Sequence, residues 1–171
     1  MPKRILVAYA SRTGSTIGVA QAIAAVLTES GVQADVVPMP DVKDLSLYDA
    51  VIAGSPIQAG AWLPEAMEFI RDHRTSLNQK PFAAFLTCMT LAMGKGKYRD
   101  HVSGWLEPVR SMVKTRSEGL FAGALDIGKI PSLGDRLKFK ISVLLGIWGE
   151  GDQRDWDAIR SWARELPKSL S

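Results

Sequence analysis

The sequence predicts an α/β fold, a parallel β-sheet covered by helices on both faces, and three observations predict it. Short apolar runs recur, Ile5 to Ala10, Ala50 to Ser55 and Phe82 to Thr87 among them, with apolar residues at consecutive positions. A strand that is apolar on both sides must be buried on both sides. Between the runs lie stretches of helical periodicity, such as Ile17, Ala20, Ile23, Ala24 and Leu27, so strands and helices alternate. The three segments richest in Gly, Ser, Thr and Pro, residues 11–16, 55–62 and 87–96, follow the first, third and fourth strands. In a parallel sheet these loops leave at one edge, beyond the carboxyl ends of the strands, where ligands bind in such folds.

Taken in order, the first strand (Ile5 to Ala10) is followed by a helix from Ser15 to Glu29, which Ser30-Gly31 terminates. Val32 to Val37 is the second strand, closed by Pro38 and Pro40, and Ala50 to Ser55 is the third. An amphipathic helix begins near Pro64, a residue suited to a first turn, with Met67, Phe69 and Ile70 inward. Phe82 to Thr87 is the fourth strand, Cys88 to Gly96 a long loop, and Lys97 to Lys114 a helix. Gly119 to Leu125 is the fifth strand, and Asp155 to Leu166 a last amphipathic helix. Repeats and low-complexity linkers are absent, and 171 residues suit one domain with a sizeable core.

Composition excludes several function classes. Hydrophobic residues at 46% and charged ones at 23% describe an ordinary globular protein. No apolar run is long enough to span a bilayer. Met1-Pro2-Lys3-Arg4 runs straight into the first strand, so no signal peptide is expected. One cysteine, Cys88, allows no internal disulfide and suggests a reducing compartment, and with only His73 and His101 beside it a structural zinc site is not expected. A net charge of +3 is too small to argue nucleic acid, and no platform of interleaved aromatic and basic residues accompanies it. The sequence sets no oligomeric state.

The stretch from Arg4 to Ala20 organises the rest. A buried strand, a small polar loop and a helix N-terminus follow one another, so free backbone N–H groups and the helix dipole converge on one place. Ser11, Thr13, Ser15 and Thr16 offer four hydroxyls, and Gly14 permits close approach or positive φ. The plainer alternative is a hydroxyl-capped helix, but one hydroxyl suffices for a cap. The loop has neither the Gly-Lys-Ser/Thr ending of a triphosphate loop nor the three glycines of a dinucleotide fold.

These residues carry a resemblance. Ser11-Arg12-Thr13-Gly14-Ser15-Thr16 resembles the phosphate loop of flavodoxins, Ser/Thr-x-Thr-Gly-x-Thr, with Ser15 where many members have Asn. Ala53-Gly54-Ser55-Pro56-Ile57 resembles their first isoalloxazine loop, and Leu86 to Ala92 sits where the second belongs. The resemblance covers essentially the whole chain and implies a flavodoxin-like five-stranded parallel sheet of order 2-1-3-4-5 with FMN as cofactor. It places the FMN phosphate on Ser11, Arg12, Thr13, Gly14, Ser15 and Thr16. It places the flavin ring on Ser55, Pro56, Ile57, Gln58, Ala59, Gly60 and Trp62, and on Thr87, Cys88, Met89, Thr90, Leu91 and Ala92. Arg12 faces substrate or solvent; Trp62 either stacks on the flavin or packs on the core where its helix starts. Cys88 reads as a small buried filler at a strand end. The second loop lacks the tyrosine that usually stacks on the flavin and has Met89, Thr90, Leu91 and Met93 instead, which leaves room for a substrate.

Within the superfamily the chain is most similar to the menaquinone-dependent protoporphyrinogen oxidase type, through Arg12, Gly123-Ala124-Leu125 and an insert at about 127–150. That resemblance implies a cytoplasmic FMN-dependent oxidoreductase acting on a quinone or tetrapyrrole-like small molecule. The alternative is an electron carrier between protein partners, but such shuttles tend to present an acidic face and this chain is basic. The insert carries Lys129, Arg136, Lys138 and Lys140 before an apolar half, Ile141 to Trp148. A helix apolar all round must be buried in protein, a partner or lipid. Segment 130–148 is therefore expected to be a helix-bearing arm that meets the inner membrane face peripherally or a membrane-bound partner, with packing over the protein's own sheet edge or across a dimer as the other reading.

Overall fold

The computed structural model describes residues 2–93, 96–130, 132–147 and 149–171. Five parallel strands form the sheet: β1 (Arg4–Tyr9), β2 (Gln33–Pro38), β3 (Ala50–Gln58), β5 (Phe82–Cys88) and β6 (Ser117–Ala122). Their order is β2-β1-β3-β5-β6, the order the flavodoxin resemblance implies, with every neighbouring pair parallel. Alternate side chains of each strand feed two cores. Ile5, Val7, Ile52 and Phe85 pack against α1 (Ser15–Glu29) and α7 (Trp156–Ser169) through Val19, Ile23, Leu27, Ile159 and Leu166. On the other face Leu6, Val51, Phe82 and Leu86 meet α2 (Pro64–Asp72), α3 (Arg74–Asn78), α4 (Arg99–Gly104) and α5 (Glu107–Arg110) through Phe69, Ile70, Leu77, Val102 and Val109. Gly54 has no room for a side chain, since a Cβ there would stand 2.0 Å from the buried Phe85 ring.

Three segments depart from the sequence expectations. β3 continues through Ser55 to Gln58 and turns back as β4 (Ala61–Trp62), so the expected loop 55–62 is a tight hairpin with Gln58 opposite Ala61. Ala59 (φ 51°) and Gly60 (φ 77°) supply the two positive φ angles that a two-residue hairpin of this twist requires. The expected helix 97–114 is two short helices, α4 and α5, because Pro108 has no N–H with which to continue the ladder. The fifth strand stops at Ala122; β7 (Ala124–Leu125) leaves the main sheet and pairs antiparallel with β8 (Gly151–Asp152).

That small ribbon is the base of the insert. Ser132 accepts the N–H of Asp135 at 3.3 Å and caps α6 (Leu133–Leu144). The helix ends at Gly146 (φ 72°), whose N–H reaches the Val143 carbonyl while that of Ile147 reaches the Ser142 carbonyl, both at 2.9 Å. This crossed pair satisfies the last carbonyls and needs a left-handed residue between them. None of the residues of α6 is buried, so the helix is not the core element that one sequence reading allowed. Trp148 lies outside the described residues. Among the described residues no helix is long and apolar enough to cross a membrane.

Candidate functional site

The first strand delivers the chain to the start of α1, and the N-cap there is Gly14 (φ 90°), in the left-handed conformation and with no side chain to cap the helix. The first N–H groups of a helix have no intrahelical acceptor; here no hydroxyl replaces it, so the simple capped-helix alternative fails. The four hydroxyls divide. Ser11 Oγ accepts the Gly14 N–H at 3.1 Å, which shapes the loop. Thr16 is fully buried and its Oγ1 lies 2.9 Å from Thr87 Oγ1, a pair that ties α1 to β5. Thr13 and Ser15 remain at the surface of a cavity of about 510 Å³.

Arg12 also borders that cavity, but its guanidinium forks onto the carboxylate of Glu65 in the first turn of α2, with Nη2 to Oε2 at 3.0 Å and Nη1 to Oε1 as the second arm. Partial burial pushes the Glu65 carboxyl up, and the Arg12 hydrogen bonds outweigh it, leaving Glu65 below its ordinary range. The arginine is thus a strut between loop and helix as well as a cavity edge.

Of the hairpin residues, Pro56, Ile57 and Gln58 line the cavity. Ser55 is fully buried; its hydroxyl donates to the Pro56 carbonyl and accepts the Leu63 N–H at 3.0 Å, so it holds the hairpin shut rather than facing a ligand. Ala59 and Gly60 form the turn and do not border the cavity. Trp62, only 4% exposed, packs in the core among residues such as Met39 and Leu63, so of its two readings the staple holds and the stacked ring does not. Its Nε1 has no partner among the described residues.

From the second loop Thr87, Cys88 and Met89 line the cavity, whereas Thr90, Leu91 and Ala92 do not. Leu91 packs toward the core through the 3₁₀ turn Met89–Ala92. Burial pushes the Cys88 thiol up, so it is neutral and unreactive near pH 7. The opposite wall comes from residues that sequence reasoning did not assign to the site. Gly123, Ala124 and Leu125 follow β6, and Ile130, Ser132, Asp135 and Phe139 come from the insert; Leu63 adds to the floor. The insert stood out by composition, but the face of α6 that turns inward is set by the ribbon at its base, which leaves no mark in a sequence.

A family profile described as "Flavodoxin domain" matches residues 6–144. The chain belongs to the flavodoxin-domain family. Solved flavodoxins share the fold: that of Megasphaera elsdenii in its two-electron reduced form is 17% identical, covering 94% of this chain and 98% of its own, with a TM-score of 0.58. A flavodoxin of Streptococcus pneumoniae TIGR4 is 18% identical, covering 98% and 99%, with a TM-score of 0.59. Among characterised proteins, protoporphyrinogen IX dehydrogenase [quinone] of Escherichia coli K12 is 27% identical over 95% of this chain and 94% of its own length.

FMN is the cofactor of this flavodoxin-domain chain, and the geometry fits it. An uncapped helix N-terminus attracts a phosphate, and the adjoining cavity falls within the roughly 300–1,000 Å³ typical of small-ligand sites.

Proposed function

We propose that this chain is an FMN-dependent oxidoreductase that works on small, largely apolar ring molecules, of the protoporphyrinogen and quinone kind. The N–H groups at the start of α1 and the hydroxyls of Thr13 and Ser15 bind the FMN phosphate, with Gly14 admitting it to the backbone. Main-chain groups of Pro56, Ile57 and Gln58 border the flavin ring on one side, and Thr87 to Met89 on another. Bound FMN supplies two-electron chemistry that no side chain of this protein could provide.

The observation that carries the reading is the second wall. Leu125, Ile130 and Phe139 turn apolar side chains into the same cavity that the phosphate loop and hairpin border. A wall of this kind excludes water and holds a flat apolar molecule against the flavin, whereas a carrier that passes electrons to a docked protein needs an open flavin edge. The likeness to protoporphyrinogen IX dehydrogenase [quinone] supports the same substrate class.

The test is anaerobic reoxidation of the reduced protein by a soluble menaquinone analogue and, in parallel, by oxidised ferredoxin. Fast reoxidation by the quinone with slow reaction with ferredoxin is expected. The opposite preference would make the chain an electron shuttle.

A further inference from the structure

We propose that the outward face of α6 docks on an anionic lipid surface, so that the wall helix of the cavity is also the membrane anchor. The inference goes beyond the electron-transfer reading and does not depend on it. Six of the seven large exposed hydrophobic residues among the described residues fall between positions 133 and 147. Large aliphatic side chains on a soluble surface are normally scattered, so this concentration calls for an occupant.

The helix has two distinct faces. At 100° per residue, Leu133, Leu137, Ile141 and Leu144 fall within an arc of about 80°, and Leu133 and Leu144 are 78% and 86% exposed. Asp135 and Phe139, which line the cavity, lie on the other side of the helix. The inner face therefore belongs to the cavity wall and the outer row is left to something else.

Charge selects the occupant. Lys140 and Arg136 flank the apolar row on one side and Lys138 on the other, while the helix's single carboxylate, Asp135, sits toward the cavity with Lys138 3.5 Å away. A second copy of this chain docking face to face would set lysines against lysines, which disfavours that partner. An anionic bilayer satisfies both features, since headgroups meet the cations and the acyl boundary receives the leucines. The helix spans about 18 Å at 1.5 Å per residue, far short of a bilayer core, so it lies in the interface and does not cross it.

The experiment is cosedimentation of the full chain with vesicles of phosphatidylglycerol and phosphatidylcholine and with vesicles of phosphatidylcholine alone. The variants are Leu137→Asp/Leu144→Asp and Lys138→Glu/Lys140→Glu, with far-UV circular dichroism to check folding. All four side chains are exposed, so the variants should fold as the wild type does. The wild type is expected in the pellet with anionic vesicles, the leucine variant to partition roughly a hundredfold less, and the lysine variant roughly tenfold less at low salt. A wild type that stays in the supernatant with both vesicle types overturns the proposal. So does a concentration-dependent dimer in gel filtration that the leucine variant abolishes, because the occupant is then a second copy.

Discussion

The cavity has one wall built from the sheet edge and one built from the insert, and they are held in different ways. On the sheet side, Thr13 and Ser15 stand where the chain enters α1, Pro56 and Ile57 at the outer end of β3 and Thr87 at that of β5, on strands whose central residues are wholly buried between two layers of helices. On the insert side, Ile130, Ser132, Asp135 and Phe139 stand on or beside a helix none of whose residues is buried. That helix is joined to the body through a two-stranded ribbon and through Arg154. Arg154 grips Asp152 with Nε and Nη2, both at 2.7 Å, lays its guanidinium over Trp156 and donates from Nη1 to the Ser15 carbonyl at 3.0 Å. On the function proposed above this is a division of labour: the cofactor would sit on the frame, and the substrate would meet a wall appended to it by few contacts. Regions with few buried contacts open at low free-energy cost.

The largest expected effect comes from breaking the frame. Gly54→Ala would thrust a Cβ to 2.0 Å from the Phe85 ring, which is fully buried and has nowhere to go. Overpacking of this severity is expected to cost about 3 kcal/mol, seen as a lower urea midpoint, and to weaken cofactor binding with it. On the appended side, Arg154→Ala removes the clamp on Asp152 and the bond to Ser15, a loss of about 2 kcal/mol by the usual worth of charge-assisted hydrogen bonds. Proteolysis should then cut first within 126–152 while the sheet stays protected.

How much of this was legible follows the same division. Consecutive apolar residues in β1, β3 and β5 announced a parallel sheet, and the flavodoxin resemblance carried by Ser11 to Thr16 implied its strand order, which the structure has. Trp62 was ambiguous because an aromatic at a helix start serves a core and a flavin equally well in sequence. Thr16 looked like a phosphate donor, yet its partner is Thr87, seventy-one residues away, a pairing set by how α1 packs on the sheet. Phe139 and Asp135 could not be assigned, because α6 carries apolar residues on both faces and only the ribbon fixes which face turns in.

A smaller effect sharpens the cofactor side. Thr13→Ala/Ser15→Ala removes two hydroxyls that border the cavity without touching the core, and FMN binding followed by fluorescence quenching should weaken by about tenfold or more, roughly 1.4 kcal/mol. Wild-type affinity for riboflavin should fall far below that for FMN; equal affinities would remove the phosphate from this loop.

The smallest effect lies in Glu65. Its carboxyl ionises below the usual range in the folded protein, because the Arg12 bonds overcome partial burial. Its contribution is therefore complete above the unfolded carboxylate pKa and is lost as pH falls through the folded one. The Arg12 side chain is 51% exposed, so solvent screens the pair and less than about 1 kcal/mol is at stake. Glu65→Gln should flatten the acid limb of a plot of urea midpoint against pH and leave the neutral plateau nearly unchanged.

The division between the two walls is tested most directly by quinone reduction at saturating FMN in the double variant Ile130→Ala/Phe139→Ala. These side chains border the cavity from the insert and are not part of either core. A loss of about tenfold in kcat/KM for the menaquinone analogue is expected, about 1.4 kcal/mol of transition-state binding, with the FMN dissociation constant changed less than about twofold. A variant that loses FMN yet, once saturated, reduces quinone as the wild type does would contradict it.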